Sequence, residues 1–214
     1  MRVVIPYTDR DPKSRLAPVL SEAERRAFAR AMLRDVIETV RNAGHDPELL
    51  VTEPIDGAGT DGAIDDVPAT VDDRALTPAV DAALDRIGED VPELGIVMAD
   101  LPLATSAALR RLAAVGGDVA IAPGRGGGTN ALVVRDPSFS VDYHGASYRD
   151  HREAAAAAGL SVGVVDSMRL ATDVDEPADL AEVLLHGDGR AHEWLVDAGV
   201  ELDTEGGRVG VRRE

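Results

Sequence analysis

"LGIVMADLPL" (residues 94–103) decides the fold. Its first six residues are apolar without alternation, as in a strand covered on both faces. Asp100 follows at once, and Pro102 stops the run. A strand buried on both sides needs helices above and below it, and helical patterns flank it in the sequence. Downstream, Thr105 caps a helix to about Val115, and "DVAIA" (118–122) is the next strand. Upstream, Thr77 and Pro78 open a helix reaching about Ile87.

Further out the alternation continues. "RVVIP" (2–6) and "ELLVT" (48–52) read as strands. Between them Ser21 and Glu24 form a capping box for a helix to Gly44. Its Phe28, Met32, Leu33, Val36, Ile37 and Val40 share one face, with Arg30, Arg34 and Arg41 opposite. Residues 53–73 read as irregular, with a short edge strand near Val67. "ALVVR" (131–135), "SVGVV" (161–165) and "RLAT" (169–172) are further strands. A helix capped at Ser147 runs through the alanines to Gly159, and Pro177 opens another to about His186. The pattern predicts a single α/β domain over residues 1–186 with a mostly parallel sheet covered on both sides. Residues 187–214 form a small extension, with a helix around Trp194 and a hairpin turning at "TEGG" (204–207). Trp194, the sole tryptophan, suits either an anchor for a second subunit or a cap on its own sheet.

Composition narrows the partners. The 214 residues carry 39 acids against 22 Lys plus Arg, a net charge of −17. That field repels nucleic acid and anionic membranes. Nearly lysine-free basicity, abundant acids and 3% aromatics suit concentrated salt, where the Debye length falls to about 3 Å and self-repulsion is screened. There is no cysteine, which removes disulfides and thiolate metal sites. The N-terminus lacks the apolar run of a signal peptide, and no stretch approaches the roughly 18 apolar residues of a span. The expectation is a soluble, cytoplasmic protein.

Four places carry chemistry, and in open sheets ligands sit beyond the carboxyl ends of strands. The loop after the first strand is longer than usual connections and holds Arg10, Lys13 and Arg15, a cation cluster in an acidic chain. Lys13 is the only lysine. An ammonium is a compact charge able to follow a moving phosphate, whereas arginine makes a planar fork. Asp100, directly after a buried strand, is held as a hard-cation ligand must be, although a turn before Pro102 would use it equally. "GRGGGTN" (124–130) allows close backbone approach to an anion, or simply a flexible hairpin. In "TDVDEPADL" (172–180), Asp173 and Asp175 project to one side in extended backbone, as a divalent cation would need and as an N-cap cluster also would. His144 and His151 have no partner at zinc-site spacing, and His151 reads as a packed or hydrogen-bonded residue.

"IPYTDRDPKSRLAPVLSEAERRAFARAMLRDV", "MADLPL", "APGRGGGTNAL", "YHGASYRDH" and "DVDEPADL" occur here in the order seen in the 2-phospho-L-lactate guanylyltransferase family of deazaflavin coenzyme biosynthesis. The resemblance spans about residues 2 to 185 and reaches more distantly to molybdenum-cofactor guanylyltransferases. It implies a Rossmann-like three-layer α/β/α nucleotidyltransferase fold and a homodimer. It implies GTP at Pro6, Lys13, Arg15 and Asp100, and Mg2+ or Mn2+ at Asp100, Asp173 and Asp175. The phosphorylated three-carbon acid would lie against Gly128, Thr129, Asn130, Gly145 and Ser147. Two positions depart from the family pattern: Tyr7 and Thr8 stand where many relatives have a lysine, and Leu76–Thr77 where a leucine-asparagine pair is usual.

The implied reaction is attack by the acceptor phosphate on the α-phosphorus of GTP, expelling pyrophosphate. A phosphate nucleophile needs no strong base, so positioning and charge neutralisation carry the catalysis. Two alternatives remain at this level. One is a nucleotidyltransferase with another acceptor, such as phosphoenolpyruvate, 3-phosphoglycerate or a sugar phosphate. The other is a GTP-binding sensor without turnover.

Overall fold

The apolar run becomes a strand with no wet face: all four residues of Leu94–Val97 (β4) are buried. The computed structural model describes residues 1–55, 62–205, 207 and 209–213. Among these, β4 joins six other strands: Arg2–Tyr7 (β1), Asp46–Val51 (β2), Ala69–Val71 (β3), Val119–Pro123 (β5), Thr129–Val134 (β6) and Val162–Val164 (β7), in the order β3-β2-β1-β4-β6-β5-β7. β1 runs parallel to β2 and β4, β2 to β3, and β5 to β7. β6 is antiparallel to both β4 and β5.

That one reversal shapes the site. A parallel strand brings its carboxyl end to the ligand-binding rim, but a reversed strand brings its amino end there. Val97 is paired with Ala131, and the N–H of Met98 donates to the carbonyl of Asn130 at 3.0 Å. "GGGTN" therefore stands beside "VMAD", although one segment precedes its strand and the other follows.

Successive β4 side chains go to opposite layers, Ile96 into one core and Val97 into the other. One core is closed by Glu22–Asn42 (α1), Ser106–Ala114 (α4) and Pro177–His186 (α7), the other by Leu76–Leu84 (α3) and Ser147–Ala157 (α5). Phe28, Met32, Leu33 and Ile37 of α1 are at most 1% exposed, and such burial stabilises by roughly 1.5–3 kcal/mol per side chain. The expected capping box is present, Ser21 donating to Glu24, and Thr105 accepts from the N–H of Ala108.

Some boundaries differ. "RLAT" is no strand. Met168–Ala171 is a helical turn (α6), because the carbonyls of Leu170 and Ala171 are taken by the Asn130 amide and the Arg125 N–H, where a ladder would need them. The edge strand follows Val67 rather than containing it. Val67 is buried and closes the turn after Gly62–Asp65 (α2), and β3 begins at Ala69. Ser147 is the first residue of α5, with Ala146 as N-cap, so its hydroxyl is not spent on capping.

The extension packs onto α1. Arg190–Asp197 (α8) has Gly189 as N-cap and takes its capping oxygens from Asp35 of α1, whose carboxylate accepts from Arg190 and Ala191 at 2.8 and 2.9 Å. A Cβ on Gly189 would stand 2.7 Å from that carboxylate, so the close approach requires glycine. The Trp194 ring lies 5.4 Å from that of Phe28, so within its own chain it packs on helix α1. Val200–Asp203 (β8) and Gly210–Arg213 (β9) form the antiparallel hairpin, and Arg213 reaches Glu24 at 2.6 Å. Gly206 of the expected "TEGG" turn lies outside the described residues. Among the described residues no helix is long and apolar enough to cross a membrane.

Candidate active site

The loop after β1 is held in a conformation side chains resist. Asp11 and Lys13 have φ of 40° and 56°, in the left-handed region, at about 1 kcal/mol each. Arginines of α1 hold it there. Buried Arg25 donates to the carbonyls of Pro12 and Leu20, at 3.2 and 3.4 Å, and to Asp11 at 2.6 Å. Arg30 pairs with Asp9, which also accepts from the Tyr7 hydroxyl at 2.8 Å. Together these bonds tie the loop to α1 and hold its shape.

Lys13 is thereby delivered to the rim. Its ammonium donates to Asp100 Oδ2 at 2.5 Å and to Asp175 Oδ1 at 2.8 Å. Burial pulls the Lys13 pKa down, but Asp100 and then Asp175 pull harder, leaving it above the ordinary lysine value. Burial raises Asp175, and the Lys13 charge outweighs it, so this carboxyl lies below the ordinary range. Arg15 stands further out, 3.6 Å from Asp175 and 3.4 Å from Glu176.

Asp173 accepts from the Asn130 amide at 3.1 Å. Burial raises its pKa, the Asn130 bond opposes this, and the nearby Asp100 and Asp175 charges raise it further. The three expected acids thus share one neighbourhood. Among the described residues, however, no three His, Asp or Glu side chains are gathered as an ion cage, and the Lys13 ammonium stands between two of these acids. Asp100 Oδ1 is buried without a hydrogen-bond partner, a vacant hard-oxygen donor of the kind Mg2+ or Mn2+ takes. Asp100 thus offers such an ion one free oxygen, with Asp173 and Asp175 nearby.

From this pairing a cavity of about 510 Å³ runs toward β2 and α3, lined by Pro6, Thr8, Thr52, Arg74 and Leu76 among others. A volume of that order suits a nucleotide-sized ligand.

On the other flank the glycine loop and α5 meet. A Cβ on Gly124 would stand 2.5 Å from the Asn130 amide oxygen, and one on Gly128 would stand 4.0 Å from both that oxygen and the Ser147 hydroxyl. Gly145, φ 57°, makes the turn into α5. Thr129, Asn130 and Ser147 are buried. Gly128, Thr129, Asn130 and Ser147, with Gly145 leading into α5, thus form a cradle in the sense of a grouping of amides, hydroxyls and backbone without a charged side chain of their own.

A cation-lined cavity beside such a cradle suits transfer between two anions, and sequence comparison decides which kind. The profile of the "Guanylyl transferase CofC like" family matches residues 1–213. This chain belongs to that family. A relative, the 2-phospho-L-lactate guanylyltransferase of Haloarcula marismortui, is 55% identical over all of this chain and 99% of its own length. A structure from Desulfovibrio desulfuricans described as a nucleotide-diphospho-sugar transferase superposes with TM-score 0.70 at 16% identity, covering 92% of this chain and 94% of its own. Rv0371c from Mycobacterium tuberculosis, in complex with manganese, gives TM-score 0.54 at 18% identity over 86% of this chain and 97% of its own. The fold is that of the nucleotidyltransferases.

In this guanylyl transferase, Lys13 is in direct contact with Asp100 and Asp175, Asp173 lies near enough to feel both carboxylates and accepts from Asn130, and Pro6 and Arg15 line the cavity. Gly128, Thr129, Asn130, Gly145 and Ser147 lie apart from that cavity, around the cradle. Sequence reasoning missed Arg25, which has the look of any polar helix residue. It also placed Arg30 on a solvent face, whereas its side chain is 20% exposed and holds Asp9. The available signal was Asp9 and Asp11 in the loop, each needing a cation that α1 supplies at turn spacing.

Proposed function

We propose that this guanylyl transferase moves GMP from GTP to (2S)-2-phospholactate, giving lactyl-2-diphospho-5′-guanosine and pyrophosphate. The observation that carries the reading is the Lys13 ammonium, clamped between Asp100 and Asp175 in the lining of a nucleotide-sized cavity, while neighbouring Asp173 is held by Asn130 at the end of the glycine loop. GTP occupies the cavity with its phosphates toward Lys13 and Arg15, and the phosphoacid takes the cradle at Gly128, Thr129, Asn130, Gly145 and Ser147. The acceptor phosphate is already an anion, so the chain needs no general base. Its residues orient two anions in line and exclude water.

Asp100, Asp173 and Asp175 would hold Mg2+ or Mn2+, which neutralises phosphate charge when bound. Manganese beside Rv0371c supports that choice at the level of fold. Lys13 leaves its two carboxylates for the polyphosphate and moves with the departing pyrophosphate. The reading includes a cytoplasmic homodimer working in concentrated salt, the setting the charge of −17 suits.

Pyrophosphate release from GTP, tested in molar potassium chloride with 2-phospholactate, phosphoenolpyruvate and 3-phosphoglycerate, should give the highest kcat/KM for 2-phospholactate. ATP should replace GTP poorly. Equal turnover with all three acceptors would refute the assignment, and light scattering in the same salt tests the dimer.

A further inference from the structure

Behind the cradle runs a chain of hydrogen bonds that the transfer reaction has not yet used. The backbone N–H of Asp142 lies 2.9 Å from His151 Nε2, and His151 Nδ1 lies 2.9 Å from Thr129 Oγ1. A backbone N–H only donates, so Nε2 must be the bare, accepting nitrogen. Burial drives the His151 pKa down to about 4 against the opposing pull of Asp142 and Asp150, which keeps the ring neutral. The single ring proton is therefore on Nδ1 and is donated to Thr129. Tyr143 and Phe139 meet the ring edge-on at 5.0 and 5.9 Å and prevent it from turning over.

The consequence falls on Thr129. Its oxygen accepts from His151, and among the described residues its own O–H has no acceptor, although the side chain is only 4% exposed. A buried unspent donor is costly, by about 1–3 kcal/mol, and is relieved by a ligand that can only accept. We propose that His151 is a positioning residue whose fixed tautomer makes Thr129 an obligate donor to the acceptor anion. A carboxylate in its place would turn the hydroxyl round to face the protein. A histidine that can only give its proton forces the hydroxyl to give its own outward. The inference rests on Thr129 lying against the acceptor, as proposed above.

Steady-state kinetics with GTP and 2-phospholactate test it, on the wild type, T129V, H151N, H151F and the T129V/H151F double variant. T129V should raise the acceptor KM about 10- to 100-fold, the size of one hydrogen bond to a charged group, and leave the GTP KM unchanged. H151N, whose amide can still donate at the Nδ1 position, should stay within about 3-fold of wild type. H151F, which leaves the Thr129 hydroxyl in place but free to turn, should raise the acceptor KM by less than T129V, and the double variant should be no worse than T129V, because His151 acts only through that hydroxyl. Nitrogen NMR of the wild-type protein should show His151 protonated at Nδ1, which needs no variant to fold. Proton on Nε2, an H151F effect that multiplies that of T129V, or an equal rise in the GTP KM would overturn the inference. An unchanged acceptor KM in T129V would overturn it together with the Thr129 contact, while guanylyl transfer stood. Failure of the transferase reading itself would differ, as a wild type inert toward every acceptor.

Discussion

The two flanks of the site are built in opposite ways. On the Lys13 side the site is held by charged pairs: Lys13 between Asp100 and Asp175, Arg30 on Asp9, Arg25 on Asp11. On the glycine-loop side the buried groups are neutral: Asn130, Thr129, Ser147, His151 and glycine backbone. Ion pairs can exchange partners as charge moves, and a lysine between two carboxylates is a charge held ready to leave. Neutral bonds from buried groups have a fixed direction and fixed geometry. The difference teaches where motion belongs. On the proposed reading, charge is redistributed around the departing pyrophosphate, whereas the acceptor has only to be held still.

The sharpest way to break that contrast is to disturb the charged flank. Asp100→Ala should lower pyrophosphate release by at least about 1,000-fold, through loss of a phosphate-facing cation site. Lys13→Arg should cost about 100-fold in kcat with little change in Tm, since a planar fork cannot stand in for a point charge between two carboxylates. Wild-type kcat in Lys13→Arg would mean the charge need not be mobile.

Acid probes the neutral flank. Both folded and unfolded His151 are neutral above about pH 6.5. As pH falls from 6.5 toward 4 the unfolded chain takes a proton that the folded chain refuses, so stability declines through that window, by about 3 kcal/mol in all. Denaturant titrations of wild type and H151N across pH 4 to 7 isolate this slope. Parallel curves would place the titration elsewhere.

A smaller effect is expected of Asn130→Ala, which strips the Leu170 carbonyl and Asp173 of their amide. It should cost about 2 kcal/mol of stability and raise the acceptor KM more than the GTP KM. Smallest is Asp35→Ala, remote from both flanks. Losing the borrowed cap of α8 should cost about 1 kcal/mol with kcat unchanged. A fall in kcat there would couple the extension to the site.

How much of this was legible in the sequence follows from the range of each signal. β4 was legible because four consecutive residues record burial on both faces. The capping box at Ser21 and Glu24 was legible because both partners lie within one turn. "RLAT" was misread because its β-like composition is local, while the claims of Asn130 and Arg125 on its carbonyls come from 40 or more residues away. Arg25 was missed for another reason: its partners Asp11, Pro12 and Leu20 are near in sequence, and only the loop's conformation turns them onto the helix. His151 could be read only as packed or hydrogen-bonded, since the direction of its bonds depends on Asp142 and Thr129 both reaching it.

The amino-acid sequence alone thus determined the layers, the helix and strand periods, and the short list of groups able to meet an anion. Those are properties of neighbours along the chain. Only the tertiary structure decided that Lys13 meets Asp100 and Asp175, partners 87 and 162 residues away, that a reversed β6 turns the glycine loop to the rim, and which histidine nitrogen carries the proton. Such pairings depend on strand order and direction, which no local pattern encodes.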